Sequence, residues 1–103
     1  MTGGLPVKPT PLAALQIRKE SRWWRRHRTK APNLFREELL WAFELISTHP
    51  EVGAVAEDSD LQSVRRVLLA GTHHYLYYRL DEARQIIEVL ALWGTSRLEG
   101  TGL

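Results

Sequence analysis

The residues of this chain that could do chemistry gather in three places. Between Arg18 and Lys30 lie Arg18, Lys19, Arg22, Arg25, Arg26, Arg28 and Lys30, with Glu20 the lone acid and Trp23, Trp24 and His27 interleaved. Guanidinium beside indole is a composition that contacts phosphates and stacks on bases. It equally suits a solvated basic helix whose indoles plug into the core while arginine stems cover it. A small domain needs its large side chains inside, so the second reading is favoured, with the outward charges left to meet an acidic partner, protein or nucleic acid.

The second place is Arg65-Arg66 with Tyr75, Tyr77 and Arg79 downstream. Side chains alternate along a strand, so the two arginines go to opposite faces. Tyr75, Tyr77 and Arg79 share one face, and Leu76, Tyr78 and Leu80 the other. The leucine-bearing set belongs inside. The tyrosines and Arg79 are then displayed on an open face with one of the two arginines, a composition that suits a binding surface and equally suits cross-strand packing of aromatics on a solvated face. The other arginine sits at or near the covered face and needs a carboxylate there. The third place is His73-His74, whose adjacent positions point to opposite faces and cannot chelate one ion together. A surface histidine beside a half-buried one is the reading.

Other chemistry is excluded by what the sequence lacks. With no cysteine there is no disulfide, thiolate nucleophile or cysteine zinc site, in keeping with a reducing cytosol. No glycine-rich phosphate loop or nucleophile elbow occurs, and the acids of 51–60 and Asp81-Glu82 read as solvated connections. No cofactor and no metal are expected. The longest apolar run, Leu39-Leu40-Trp41-Ala42-Phe43, falls far short of the roughly 18 residues of a membrane span, and Pro6, Pro9 and Pro11 break any secretory signal. A cytoplasmic protein without a membrane partner is expected.

The elements that must position these groups follow from periodicity. At 103 residues the chain is a single small domain. Residues 1–11 read as a flexible leader, Leu12–Arg18 as a short strand with Leu15 and Ile17 on one face, and Lys19–Thr29 as a helix. Pro32 opens a second helix, with Glu37 and Glu38 near its first turn. Phe35, Leu39, Ala42, Phe43 and Ile46 form its buried stripe, and Leu34, Trp41 and Leu45 a second, flanking one for the preceding helix or a partner to cover. His49-Pro50 ends it. Three β-rich runs close the chain: 63–70, 73–80 and 85–93, the first two joined by Gly71-Thr72, where glycine supplies a positive φ. The expected fold is α+β: an N-terminal strand, an antiparallel helix hairpin, then a three-stranded antiparallel meander. The domain spans 12–97, with 98–103 a tail.

Four stretches in this order resemble the ParE branch of the RelE/ParE toxin family. They are His49-Pro50-Glu51-Val52-Gly53, Val64-Arg65-Arg66-Val67-Leu68-Leu69, Tyr75-Leu76-Tyr77-Tyr78-Arg79-Leu80-Asp81 and Ile87-Glu88-Val89-Leu90-Ala91-Leu92-Trp93. The resemblance implies the toxin of a type II pair, neutralised by a cognate antitoxin and poisoning DNA gyrase by protein–protein contact. On this reading Arg65, Arg66, Tyr75, Tyr77, Arg79 and Arg97 would meet the target, and Leu34, Trp41, Leu45 and Trp93 the antitoxin. Direct nucleic-acid binding is not favoured. RelE-type relatives instead cut mRNA on the ribosome with Arg, Lys and Tyr side chains. The positions that line up with that set here are Arg66, Tyr75 and Arg97, but Leu68 stands where the nucleases carry a basic residue, Tyr75 where they carry an arginine, and no tyrosine follows Arg97, so the nuclease set looks incomplete. Gly94 takes the place of a histidine that many relatives carry after the last strand. A non-toxic binding module on the same fold is the third reading.

Overall fold

The computed structural model describes residues 3–56 and 63–95. In chain order they form β1 (Val7–Pro9), α1 (Pro11–His27), α2 (Leu34–Thr48), β2 (Ala54–Val55), β3 (Arg65–Leu69), β4 (His74–Asp81) and β5 (Ile86–Gly94). The strands make one sheet in the order β1-β5-β4-β3-β2, with β1 parallel to β5 and every other pair antiparallel. The meander expected from the sequence is its centre, widened by an edge strand on each side.

The segment 12–18 is helix, not strand. Thr10 caps α1 by accepting from the Ala13 N–H at 3.2 Å, and Pro11 takes the first helical position, where its missing N–H costs nothing. Ala13, Ile17, Glu20 and Trp24 then recur at helical spacing and face the sheet, which overrides the brief alternation of Leu15 and Ile17. The first strand lies instead in the stretch read as a leader, as Val7–Pro9. Its proline is tolerated because β1 is an edge. The second helix begins at Leu34 after Asn33, so Pro32 belongs to the preceding turn. It ends at Thr48, ahead of His49-Pro50.

One core lies between the helices and the sheet. Phe35, Leu39, Ala42 and Ile46 of α2 and Ala13 and Trp24 of α1 pack on Val67, Leu69, Leu76, Tyr78, Ile87, Val89 and Leu92. Emptying the Phe35 position to alanine would cost about 3–5 kcal/mol. Between Ala91, opposite Tyr77, and Val89, opposite Tyr78, Leu90 is an extra residue in β5. Side chains at the start of α1 satisfy the backbone around this bulge: Gln16 accepts the Leu92 N–H at 2.9 Å, and the Thr10 hydroxyl reaches the Leu90 carbonyl.

The β3–β4 turn differs from a two-residue glycine link. Leu69 pairs with His74, and the left-handed residue is His73, φ 63°, while Gly71 is not left-handed. Gly71 is needed for closeness. A Cβ there would stand 2.5 Å from a Glu38 carboxylate oxygen. That carboxylate accepts from the Gly71 N–H at 2.7 Å, the Thr72 N–H at 3.0 Å and the Thr72 hydroxyl at 3.1 Å, tying α2 to the turn.

Candidate functional site

The alternation of β4 places its residues as the sequence implies: His74, Leu76 and Tyr78 are buried, and Tyr75, Tyr77 and Arg79 face away from the helices. Cross-strand register then sorts the open face into rows. Leu68, Tyr75 and Trp93 lie side by side on β3, β4 and β5, followed by Arg66, Tyr77 and Ala91, then Arg79 opposite Glu88. The Arg66 guanidinium lies 4.2 Å over the Tyr75 ring and donates to the Tyr77 hydroxyl at 3.5 Å. The two tyrosine rings meet edge to face, 6.4 Å apart. Arg79 donates to Glu88 at 3.2 Å, and Arg84 engages both Asp81 and Glu88. Bonding to Arg84 holds the Asp81 carboxyl below its ordinary range. One end of the face is thus neutralised by ion pairs, while the other is aromatic and apolar with a stacked arginine.

Arg65 points the other way, to the edge of the covered side. It donates to the Gly53 carbonyl at 2.8 Å and more loosely to that of Glu51. Backbone carbonyls take the place of the carboxylate expected for it. Next to this clamp the buried Tyr78 hydroxyl accepts the Gly53 N–H at 2.9 Å and donates to the Pro50 carbonyl at 2.8 Å. Burial pushes the Tyr78 phenol up, against the opposing pull of the Gly53 N–H and Arg65.

The second predicted patch is split by the fold. Leu34 and Trp41 of α2 line a groove with Leu68 and Ala70, rimmed by Glu37 and Glu38. Trp41 is 54% exposed and Leu68 45%. Leu45 is half-buried and does not line this groove, and Trp93, 41% exposed, stands on the open face in the row of Tyr75. Leu68 is the residue that sequence reasoning missed as a contact. It belongs both to the α2 groove and to the Leu68–Tyr75–Trp93 row, making one apolar belt around the edge of the molecule. Alternation already turned Leu68 outward, but its neighbour Trp41 depends on how α2 sits over β3. Arg97 lies outside the described residues.

His73 is exposed in the turn ahead of β4, not in the strand as expected, and His74 is fully rather than half buried. His74 is bonded at both nitrogens, to the Thr72 hydroxyl and to Glu20, each at 3.0 Å, and lies against the Phe35 ring. This network joins α1, α2 and the β3–β4 turn, and it accounts for the lone acid in the basic run. Trp24 is buried and donates to the Ala31 carbonyl at 2.7 Å. Trp23 stacks on His27, and Arg28 lies over both indoles. The indoles therefore serve the fold. Among the described residues no three histidine or acidic side chains gather in a way that would hold a metal ion, and no helix is long and apolar enough to cross a membrane.

Two helices packed on one face of a five-stranded sheet make the fold of solved RelE- and ParE-type toxins. The fold matches the chromosomal ParDE toxin–antitoxin system from P. aeruginosa with TM-score 0.69 and 16% identity, covering 91% of this chain and 99% of that one. It also matches the isolated E. coli RelE toxin, with TM-score 0.55, 13% identity and coverage of 95% and 92%. A mutant E. coli RelE in complex with an antitoxin RelBc peptide matches with TM-score 0.50, 10% identity and coverage of 97% and 95%. No curated protein sequence matches the chain. The chain belongs to the ParE toxin family of type II toxin–antitoxin systems, parDE, whose family model matches residues 7–99.

Proposed function

We propose that this protein is a gyrase-directed toxin that works by surface contact in the cytoplasm and is silenced by its cognate antitoxin. The observation that carries the reading is the belt in which Leu34, Trp41, Leu68, Tyr75 and Trp93 run from α2 across the open face beside stacked Arg66. Large apolar side chains left in contact with solvent on adjoining elements mark a protein interface, and aromatic residues with arginine are its usual anchors. The antitoxin takes the α2 side, at Leu34, Trp41 and Leu45. The target takes Arg66, Tyr75, Tyr77 and Arg79, with Arg97 beyond the last strand, while Arg65 is turned to the covered side and holds the Gly53 carbonyl. Because Leu68 adjoins both sets, an antitoxin on the belt covers target contacts, and neutralisation follows from occlusion. In keeping with this, the RelE match above was solved with an antitoxin peptide bound.

The test is inhibition of DNA supercoiling by purified gyrase, with and without the antitoxin encoded beside this protein. Inhibition by the protein alone and its relief by the antitoxin are expected. Truncation after Trp93 should weaken inhibition and spare antitoxin binding. Cleavage of ribosome-bound mRNA with gyrase unaffected would replace this reading with the nuclease one, and growth without arrest on induction would replace it with a binding module.

A further inference from the structure

The basic face of α1 is used neither by the core nor by the belt. Ala13 and Trp24 are buried, Ile17 packs on the core and Glu20 bonds to His74, which fixes the side of the helix that faces inward. At about 100° per residue, Arg18, Lys19, Arg22, Arg25 and Arg26 fall within an arc of about 120° on the opposite side, spread over about 12 Å of helix axis. All five are exposed. Neither they nor Arg28 and Lys30 meet a carboxylate among the described residues.

The fold gains little from this arrangement. Cations in the last turn, such as Arg25 and Arg26, complement the helix dipole, but that benefit fades within a turn and does not reach Arg18, Lys19 and Arg22. Arg22 has like charges three or four residues away on both sides, a spacing that destabilises a helix. A local rule broken without structural return marks a surface kept for binding.

We propose that this stripe docks on double-stranded DNA, its cations meeting the phosphates that flank the major groove without reading base sequence. A duplex carries one charge per roughly 1.7 Å of axis, so a stripe about 12 Å long faces about seven phosphates. A helix about 10–12 Å across suits the B-form major groove, about 12 Å wide, whereas the deep, narrow groove of A-form RNA does not admit one. An acidic protein partner would be anchored on a large apolar side chain inside the stripe. The exposed ones of α1, Leu12 and Leu15, precede it. Since α1 lies on the side of the sheet away from Tyr75, this contact is independent of the gyrase reading.

The experiment uses the full chain with a fluorescent 25-base-pair duplex of arbitrary sequence, read by anisotropy over a salt series, with no gyrase or antitoxin present. The parent should bind with log K falling against log salt with a slope of about −3 or steeper. The double substitution Arg22→Glu, Arg26→Glu should weaken binding at least tenfold and flatten the slope by about 2. Arg36→Glu, an exposed cation on α2, should change neither. Circular dichroism checks folding, and Arg22→Gln, Arg26→Gln serves if charge reversal unfolds the helix. Equal binding by parent and double variant, equal affinity for duplex RNA, or displacement by polyglutamate at charge equivalence would overturn the proposal.

Discussion

Tyr78→Phe isolates one polar pair at the heart of the sheet. Tyr78 is wholly buried, and its hydroxyl is held between the Gly53 N–H and the Pro50 carbonyl. Removing the oxygen leaves the ring packed and strands a donor on Gly53, itself a buried residue. An unsatisfied buried amide costs about 1–3 kcal/mol, and we take about 2 because the Pro50 carbonyl is only partly buried and can be hydrated. With a urea m-value of about 1.5 kcal/mol/M, the unfolding midpoint should fall by about 1 M with m unchanged, and the melting temperature by about 10 °C. Alkaline pH supplies a second arm. Burial raises the folded phenol above its unfolded value, so its stabilisation is complete below about pH 10 and is lost as pH rises through the higher folded value. Parent and variant should therefore converge in stability above pH 10. A midpoint shift under about 0.3 M, or a gap that holds constant with pH, would refute the assignment of this hydroxyl as the clamp on the loop ahead of β2.

Further expectations concern the belt and the turns. Trp41→Glu should reduce antitoxin affinity at least tenfold in calorimetry and, because the indole is half exposed, move stability by no more than about 0.5 kcal/mol. A stability loss with unchanged affinity would make Trp41 a packing residue instead. Arg66→Gln combined with Tyr75→Ala removes the stacked pair and should raise the concentration needed for half-inhibition of gyrase at least tenfold; unaltered inhibition would move the target surface elsewhere. Gly71→Ala pushes a methyl against the Glu38 carboxylate and should cost about 1 kcal/mol by displacing a hydrogen-bonded carboxylate, with chemical denaturation as the readout. Arg84→Ala should bring the Asp81 titration, followed by NMR, back up toward the ordinary carboxylate range. In the parent, the contribution of Asp81 is present above that range and fades as pH falls through its lowered folded value.

How far the fold could be read from the sequence depended on whether a signal was local. The buried stripe of α2, Phe35 to Ile46, and the alternation of β4 are set by neighbours in sequence, and both reappear in the structure. The start of α1 was misread because Leu15 and Ile17 alternate over too few residues to outweigh the Thr10-Pro11 cap. The edge strands β1 and β2 have three and two residues, too short for any period, and are strands only through their pairing, β1 with distant β5 and β2 with β3. The candidate site divides in the same way. That Tyr75, Tyr77 and Arg79 share a face follows from alternation alone. Their neighbours Leu68 and Trp93 needed the register, and the approach of Trp41 to Leu68 needed the tertiary packing of α2. The link between Glu20 and His74, 54 residues apart, left no local trace.

The parallel pairing of β1 with β5 has a bearing on when the belt can form. The Ile87 amide closes onto Pro6, and Thr10 onto Val89, so the seventh residue and the eighty-seventh must meet before the sheet is whole. Contacts spanning nearly the entire length form late, since long loops must close first. A polypeptide still emerging from the ribosome lacks the strand that supplies Trp93 and fixes the row of Tyr75. Residues 86–94 must be made and clear the ribosome before the belt exists, so a nascent chain that stops short of β5 presents no such surface.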